Sequence, residues 1–180
     1  SKKNTVDPEE MINMYGADSI RWFMLSDSPP ERDVQWSQEG VSAAFKFIQK
    51  LWKLNNEVLA KKETTLGSED TVLKKAVNKT VYNVTKNLDN FQYNVVIANM
   101  HEIYNIFYEH VVNNKTSSKI LKDEWEKITM LLMPLTPHLA HECCEQINKK
   151  IYWPKFDSTL LKEENCTIVI QVDGKKRGIL

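Results

Sequence analysis

Glycine is scarce in this chain, with five residues in 180. No glycine-rich loop that could cradle a phosphate is present, and no Gly-x-Ser-x-Gly elbow occurs. Cysteine is scarcer: Cys143, Cys144 and Cys166 only. An odd number, two of them adjacent, is no disulfide framework, so a reducing, cytoplasmic location is expected. Net charge is also missing, since Lys+Arg and Asp+Glu both number 24. That argues against a histone-like polybasic binder but leaves room for a local basic face. No apolar run approaches the roughly 20 residues of a membrane span, and no secretory pattern precedes the first helix. No membrane partner is therefore expected. An initiator Met is absent too, and the polar arm Ser1-Lys2-Lys3 reads as the continuation of a longer polypeptide.

What the chain does have is apolar periodicity. It is 42% hydrophobic and 27% charged, a balance that supports a real core. Asp7-Pro8-Glu9-Glu10 is a strong helix start: a capping Asp, a Pro at the first position and two carboxylates at the positive end of the dipole. Gly16 suits the end of that helix. A second short helix follows over about 17–25, with Ile20, Phe23 and Met24 at helical spacing. Pro29 and Pro30 break the pattern, and 33–36 reads as a short extended piece.

Five amphipathic helices are predicted beyond Ser37. The first places Val41, Ala44, Phe45, Ile48, Leu51, Trp52 and Leu59 inward, at ~100° per residue, with Lys46, Lys50 and Lys53 opposite. The second spans about 69–88, with Val72, Ala76, Val77, Val84 and Leu88 inward. The third starts near Asn94 as its cap and carries Ile97, Met100, Tyr104, Phe107 and Val111. The fourth, about 119–133, carries Leu121, Trp125, Ile128 and Leu132. The fifth restarts at Thr136-Pro137, with Leu139, Cys143 and Ile147 inward. Loops of several residues between such helices argue for an antiparallel bundle. After Pro154 the pattern switches to alternation over Thr167–Val172, with Asp173-Gly174 as a hairpin turn and a return strand from Lys175. The expected fold is mainly α, with a short C-terminal β piece.

The sequence offers no catalytic constellation. His138, His141, Glu142, Cys143 and Cys144 cluster on one helix, but their spacing matches no protease or zinc-finger pattern. Adjacent cysteines project about 100° apart on a helix, so one at most could serve a site. No metal site is assigned, and Cys143 is read as a small buried hydrophobe. The five tryptophans, Trp22, Trp36, Trp52, Trp125 and Trp153, read as packing residues, with Trp52 and Trp125 on apolar stripes. The row Lys46, Lys50, Lys53 is either a solvated face, which Glu57 shares, or a row that tracks phosphates. The basic clusters Ser1-Lys2-Lys3 and Lys175-Lys176-Arg177 carry the same two readings.

These residues also resemble a known family. The stretch SKKNTVDPEEMINMYGADSIRWFMLSDSPPERDVQWSQEG and the 14 residues after it look like the part of a leucyl-tRNA synthetase, a class I enzyme, that follows its Lys-Met-Ser-Lys-Ser loop. MPLTPHLAHECCEQI resembles the last helix of that family's bundle, and YWPKFDSTLL with TIVIQVDGKKRG resembles the entry to its C-terminal domain. The frame VDP…YGAD is shared with isoleucyl and valyl enzymes, while SPPERDVQWS and QVDGKKRG favour leucine. A free-standing helical interaction module is the reading from another class.

The resemblance implies a division into a signature-loop stub and stem-contact segment (1–36), an anticodon-binding-type bundle (37–150), and a linker with the start of a tRNA-binding domain (151–180). It implies that Ser1 is the last residue of the ATP loop, with Lys2 and Lys3 beside it, and that no catalytic residue lies in this chain. ATP with Mg would be used by a catalytic domain elsewhere in the same polypeptide, and no cofactor would be bound here. The implied partner is leucine tRNA, not DNA, held through Lys46, Lys50, Lys53, Lys175, Lys176 and Arg177. Leucyl enzymes do not generally read anticodon bases, so the implied role is to support the tRNA body.

Overall fold

The computed structural model describes residues 6–26, 31–65 and 67–161, together with the backbone of 169–172 and 175–179. Ser1, Lys2, Lys3, Asp173, Gly174 and the side chains of Lys175, Lys176 and Arg177 lie outside the described residues. Among the described residues there are seven α-helices: α1 (Pro8–Tyr15), α2 (Ala17–Ser26), α3 (Gln38–Leu59), α4 (Asp70–Asp89), α5 (Tyr93–Asn113), α6 (Ser118–Leu132) and α7 (Pro137–Gln146). A 3₁₀ turn (Ser158–Leu161) follows, then strands β1 (Val169–Val172) and β2 (Lys175–Ile179). The strands pair antiparallel, with Val172 opposite Lys175 and a register shift between Ile170 and Gln171.

The helices form an antiparallel bundle because short links join long amphipathic segments. Both α3 and α4 pack against α5 and α6, so those four helices enclose the core. The helix α2 lies on α3 and α5, while α7 packs on α6 and α3. The core is one cluster running from Trp22 and Phe23 through Val41, Leu51, Val77, Met100, Phe107, Trp125 and Leu132 to Cys143.

Local chemistry sets the helix ends. Asp7 accepts a hydrogen bond from the Glu9 N–H at 2.9 Å, and Gly16 ends α1 at φ 79°. Ser37 caps α3 by accepting from the Gly40 N–H at 3.1 Å. The helix α5 starts one residue before the expected cap: Gln92, not Asn94, takes that position, after Phe91 at positive φ. Residues 33–36 belong to no strand.

The helices are where periodicity predicts, but three faces are rotated. In α3 the buried residues are Val41, Ala44, Phe47, Leu51, Leu54, Asn55 and Val58. Phe45, Ile48, Trp52 and Leu59 are half-buried on the flank. In α4 Leu73 is buried and Val72 is 56% exposed. In α2 Trp22 is buried and Met24 is exposed. Each helix carries more apolar residues than one stripe holds, so the neighbours, not the periodicity, choose the face.

Long-range polar ties fix the remaining links. The helix α2 secures the α6–α7 junction from both sides. Arg21 donates to the carbonyls of Leu135 at 3.2 Å and Pro134 at 2.7 Å. Asp18 accepts from the N–H groups of His138 and Leu139. The stretch Asn114–Lys119, which looks like an open polar loop, contains buried Thr116, Ser117 and Ser118. Asp70 accepts from the Ser117 N–H at 2.7 Å and hydroxyl at 2.8 Å, and Thr64 and Ser118 exchange backbone-to-hydroxyl bonds. His110 is buried against Thr116; burial pushes its imidazole down, opposed by nearby Glu69.

Candidate nucleic-acid interface

The long helix α3 has two faces. One is buried along Val41, Ala44, Leu51 and Val58, and the other carries Lys46, Lys50 and Lys53, with Lys50 and Lys53 on the outer side of the bundle. Seven residues of helix span about 10 Å, so the three ammonium groups form a row two turns long. Lys53 is 3.7 Å from Glu57, one turn on. Such an exposed pair contributes little stability, and the Glu57 carboxylate offsets one of the row's three positive charges. Lys46 and Lys50 have no ion-pair partner among the described residues.

The row does not stand alone. The neighbouring helix α5 presents His101, Tyr104 and Tyr108 along the same side. The His101 ring lies 3.8 Å, centroid to centroid, from Phe47 and 5.6 Å from Trp22. Its imidazole is pushed down, first by burial against those rings and then by the positive charge of Lys50. The Phe47 ring, against both His101 and Tyr104, joins the edges of α3 and α5. Tyr104 meets Phe47 at 5.2 Å and stacks on Tyr108 at 6.2 Å with ring planes 18° apart. Its phenol is pushed up by burial, then by Tyr108 and Glu57, so it stays neutral. Sequence periodicity counts Tyr104 as inward; it is half-buried, with Tyr108 exposed beside it. Neither His101 nor Tyr108 is singled out by sequence, because only packing brings α5 beside the lysine row.

The remaining sequence candidates are ordinary structural groups. Cys143 is buried and its thiol is pushed up to about 12, mainly by burial. Cys144 is also buried and shifted upward for the same reason. Both are therefore neutral thiols with no nucleophilic character at pH 7. His138 pairs with Asp18 at 2.9 Å, and His141 is exposed. Among the described residues no group of three His, Cys, Asp or Glu could hold a metal ion, and no helix is long and apolar enough to cross a membrane. Trp22 and Trp125 are buried, Trp36 and Trp153 are partly exposed, and Trp153 donates to the Thr85 hydroxyl at 2.9 Å.

Comparison with known proteins bears on the fold and the family. A family described as the anticodon-binding domain of tRNA ligase matches residues 70–180. A leucine–tRNA ligase of Bradyrhizobium diazoefficiens is 39% identical over 99% of this chain and 22% of its own length. One from Rhodopseudomonas palustris is 37% identical with the same coverage. The chain thus spans about a fifth of the length of these curated relatives. A solved ternary complex of an Agrobacterium radiobacter K84 LeuRS with tRNA and LeuAMS superposes with a TM-score of 0.82. That match covers 98% of this chain and 24% of the other, at 21% identity, so it concerns the fold.

Proposed function

The chain belongs to the anticodon-binding domain family of tRNA ligases, and on that premise we propose that it is the tRNA-placing part of a leucine–tRNA ligase. The observation that carries this reading is the lysine row on α3, displayed on a rigid helix of the bundle. Phosphate contacts of this kind position a nucleic acid without reading its sequence. Relatives at 37–39% identity along 99% of the chain favour leucine over isoleucine or valine as the amino acid of the whole enzyme.

In that enzyme leucine and ATP form leucyl-adenylate, and the leucyl group passes to the 3′ end of leucine tRNA. ATP and Mg act in a catalytic domain of the same polypeptide in the cytoplasm. Ser1 is the last residue of that domain's ATP loop, with Lys2 and Lys3 beside it. Residues 37–150 support the tRNA body, and 151–180, with Lys175, Lys176 and Arg177, lead to a further tRNA-binding domain. Residues 1–36 reach toward the stem.

The isolated chain is expected to retard leucine tRNA in a low-salt gel shift and to give no turnover with leucine, ATP and tRNA. Turnover would place catalytic groups in this chain and contradict the proposed division of labour. Loss of the gel shift even at low salt would favour a structural module with no RNA role.

A further inference from the structure

We propose that residues 149–157 are a latch: a strap that docks on α6 and α4, fixes where the chain leaves the bundle, and lifts off without unfolding it. The latch is separate from tRNA placement, since its contacts all lie within the chain.

The strap begins where the chain turns back after α7. Asn148 takes a left-handed φ of 52°, and the Lys149 N–H donates to the Cys144 carbonyl at 3.1 Å. The Lys149 ammonium then pairs with half-buried Glu126 of α6 at 3.1 Å, and the Tyr152 hydroxyl donates to the same carboxylate at 3.0 Å. Next, the Trp153 indole N–H donates to the Thr85 hydroxyl at 2.9 Å, and the Phe156 ring meets Tyr82 edge-on at 5.2 Å. Last, the backbone of Asp157 is clasped by the Asn78 side chain. Its N–H donates to the Asn78 oxygen at 2.6 Å, and its carbonyl accepts from the Asn78 nitrogen at 2.8 Å. Thr85, Tyr82 and Asn78 lie three and four residues apart on one side of α4, so the strap runs antiparallel to that helix. The Asp157 carboxylate also accepts from the Thr159 N–H and hydroxyl, which starts the 3₁₀ turn that packs on α4.

This docking is polar and shallow. Ile151, Tyr152, Trp153 and Phe156 remain 40–49% exposed, and of residues 149–157 only Pro154 is buried. Lifting the strap therefore uncovers little apolar surface. Water can then replace each bond to Asn78, Thr85 and Glu126, so no polar group is stranded. Asn55 is the contrast: its bond to Trp125 lies inside the core, where water cannot follow. Docked, the strap roots the chain at Asn78, in the middle of α4. Lifted, the thirteen residues 149–161 would span up to roughly 45 Å. The latch thereby sets the reach of the part that follows, with its β1–β2 hairpin.

The test is amide hydrogen exchange and limited trypsin digestion of the 180-residue chain. In the parent, the Asp157 amide should be protected relative to a free peptide, yet exchange before core amides of α4 such as that of Val81. Asn78→Ala should speed Asp157 exchange by about tenfold. Because the strap lifts as one unit, the same variant should raise cleavage after Lys150 and Lys155 alike, with the urea midpoint near that of the parent. Thr85→Val removes the Trp153 acceptor at the middle of the strap and should act in the same direction. An Asp157 amide that exchanges only together with the α4 core overturns the latch, as does a midpoint that falls when the strap contacts are removed. Parent-rate exchange in Asn78→Ala, or cleavage that rises after Lys155 and not after Lys150, overturns it as well.

Discussion

Trp125→Ala is expected to remove about 5 kcal/mol of stability. Trp125 is 2% exposed, and its ring meets Phe107 edge-on at 5.0 Å between α6 and α5. Truncation leaves a large cavity in a close-packed core, which alone costs ~3–5 kcal/mol. The indole N–H also donates to the Asn55 side-chain oxygen at 2.9 Å, and Asn55 is itself 1% exposed. The amide nitrogen of Asn55 donates to Gln146 at 2.6 Å, tying α3, α6 and α7 together. Removing the indole strands a buried acceptor, adding about 1–3 kcal/mol. Since whole domains have only about 5–15 kcal/mol, the variant should be largely unfolded in mild denaturant. Trp125→Phe keeps much of the ring packing and should lose far less. Trp52→Ala, on the half-buried flank of α3, should cost only about 1–2 kcal/mol. Urea midpoints in the order parent, Trp52→Ala, Trp125→Ala are expected. Equal midpoints for the two alanine variants would contradict the face assigned to α3.

Asp18→Ala should be the next most damaging change, at about 2–4 kcal/mol. Thr136 makes no side-chain cap for α7, so the orphan N–H groups at its start depend on another helix. Asp18 supplies both oxygens: one accepts from the Leu139 N–H at 2.8 Å, the other from the His138 N–H at 3.3 Å and pairs with its ring at 2.9 Å. Removal leaves the Leu139 N–H buried without a partner and loosens α2 from α7. The melting temperature should fall by roughly 4–16 °C for a chain of this size. Asp18→Asn keeps one acceptor and should fall between. A melting temperature unchanged by Asp18→Ala would show that the α2–α7 junction is held by packing alone.

These two residues also mark where sequence reading stops. The number of helices and most of their ends are legible because caps are local: Asp7, Ser37 and Pro137 sit where short-range rules put them. The inward residues of α6, Leu121, Trp125, Ile128 and Leu132, are legible because they recur at helical spacing, whereas the burial of Met130 on the opposite face, against Cys144 of α7, is not. The face of α3 is not, because Phe45, Phe47, Ile48 and Trp52 spread over roughly 160° of the helix and only the positions of its neighbours α2, α5 and α6 decide among them. Asp18 is a first-turn charge and Asn55 one of the polar run Asn55-Asn56-Glu57, so neither stands out locally; their partners are 120 and 91 residues away. The lysine row is visible as spacing within one helix. Its ring-bearing neighbour is not, since α5 comes to α3 only through tertiary packing, with His101 against Phe47 and near Lys50.

Placement of tRNA through phosphate contacts along the α3 row has a decisive measurement. It is the affinity of the 180-residue chain for leucine tRNA across a series of salt concentrations, for the parent and for Lys50→Ala. The parent should show log affinity falling linearly with log salt, by close to one log unit per phosphate contacted. Lys50→Ala should weaken binding and reduce that slope by about one, while its urea midpoint stays at the parent value. A slope near zero, or a Lys50→Ala chain with unchanged affinity and slope, would contradict tRNA placement by this row.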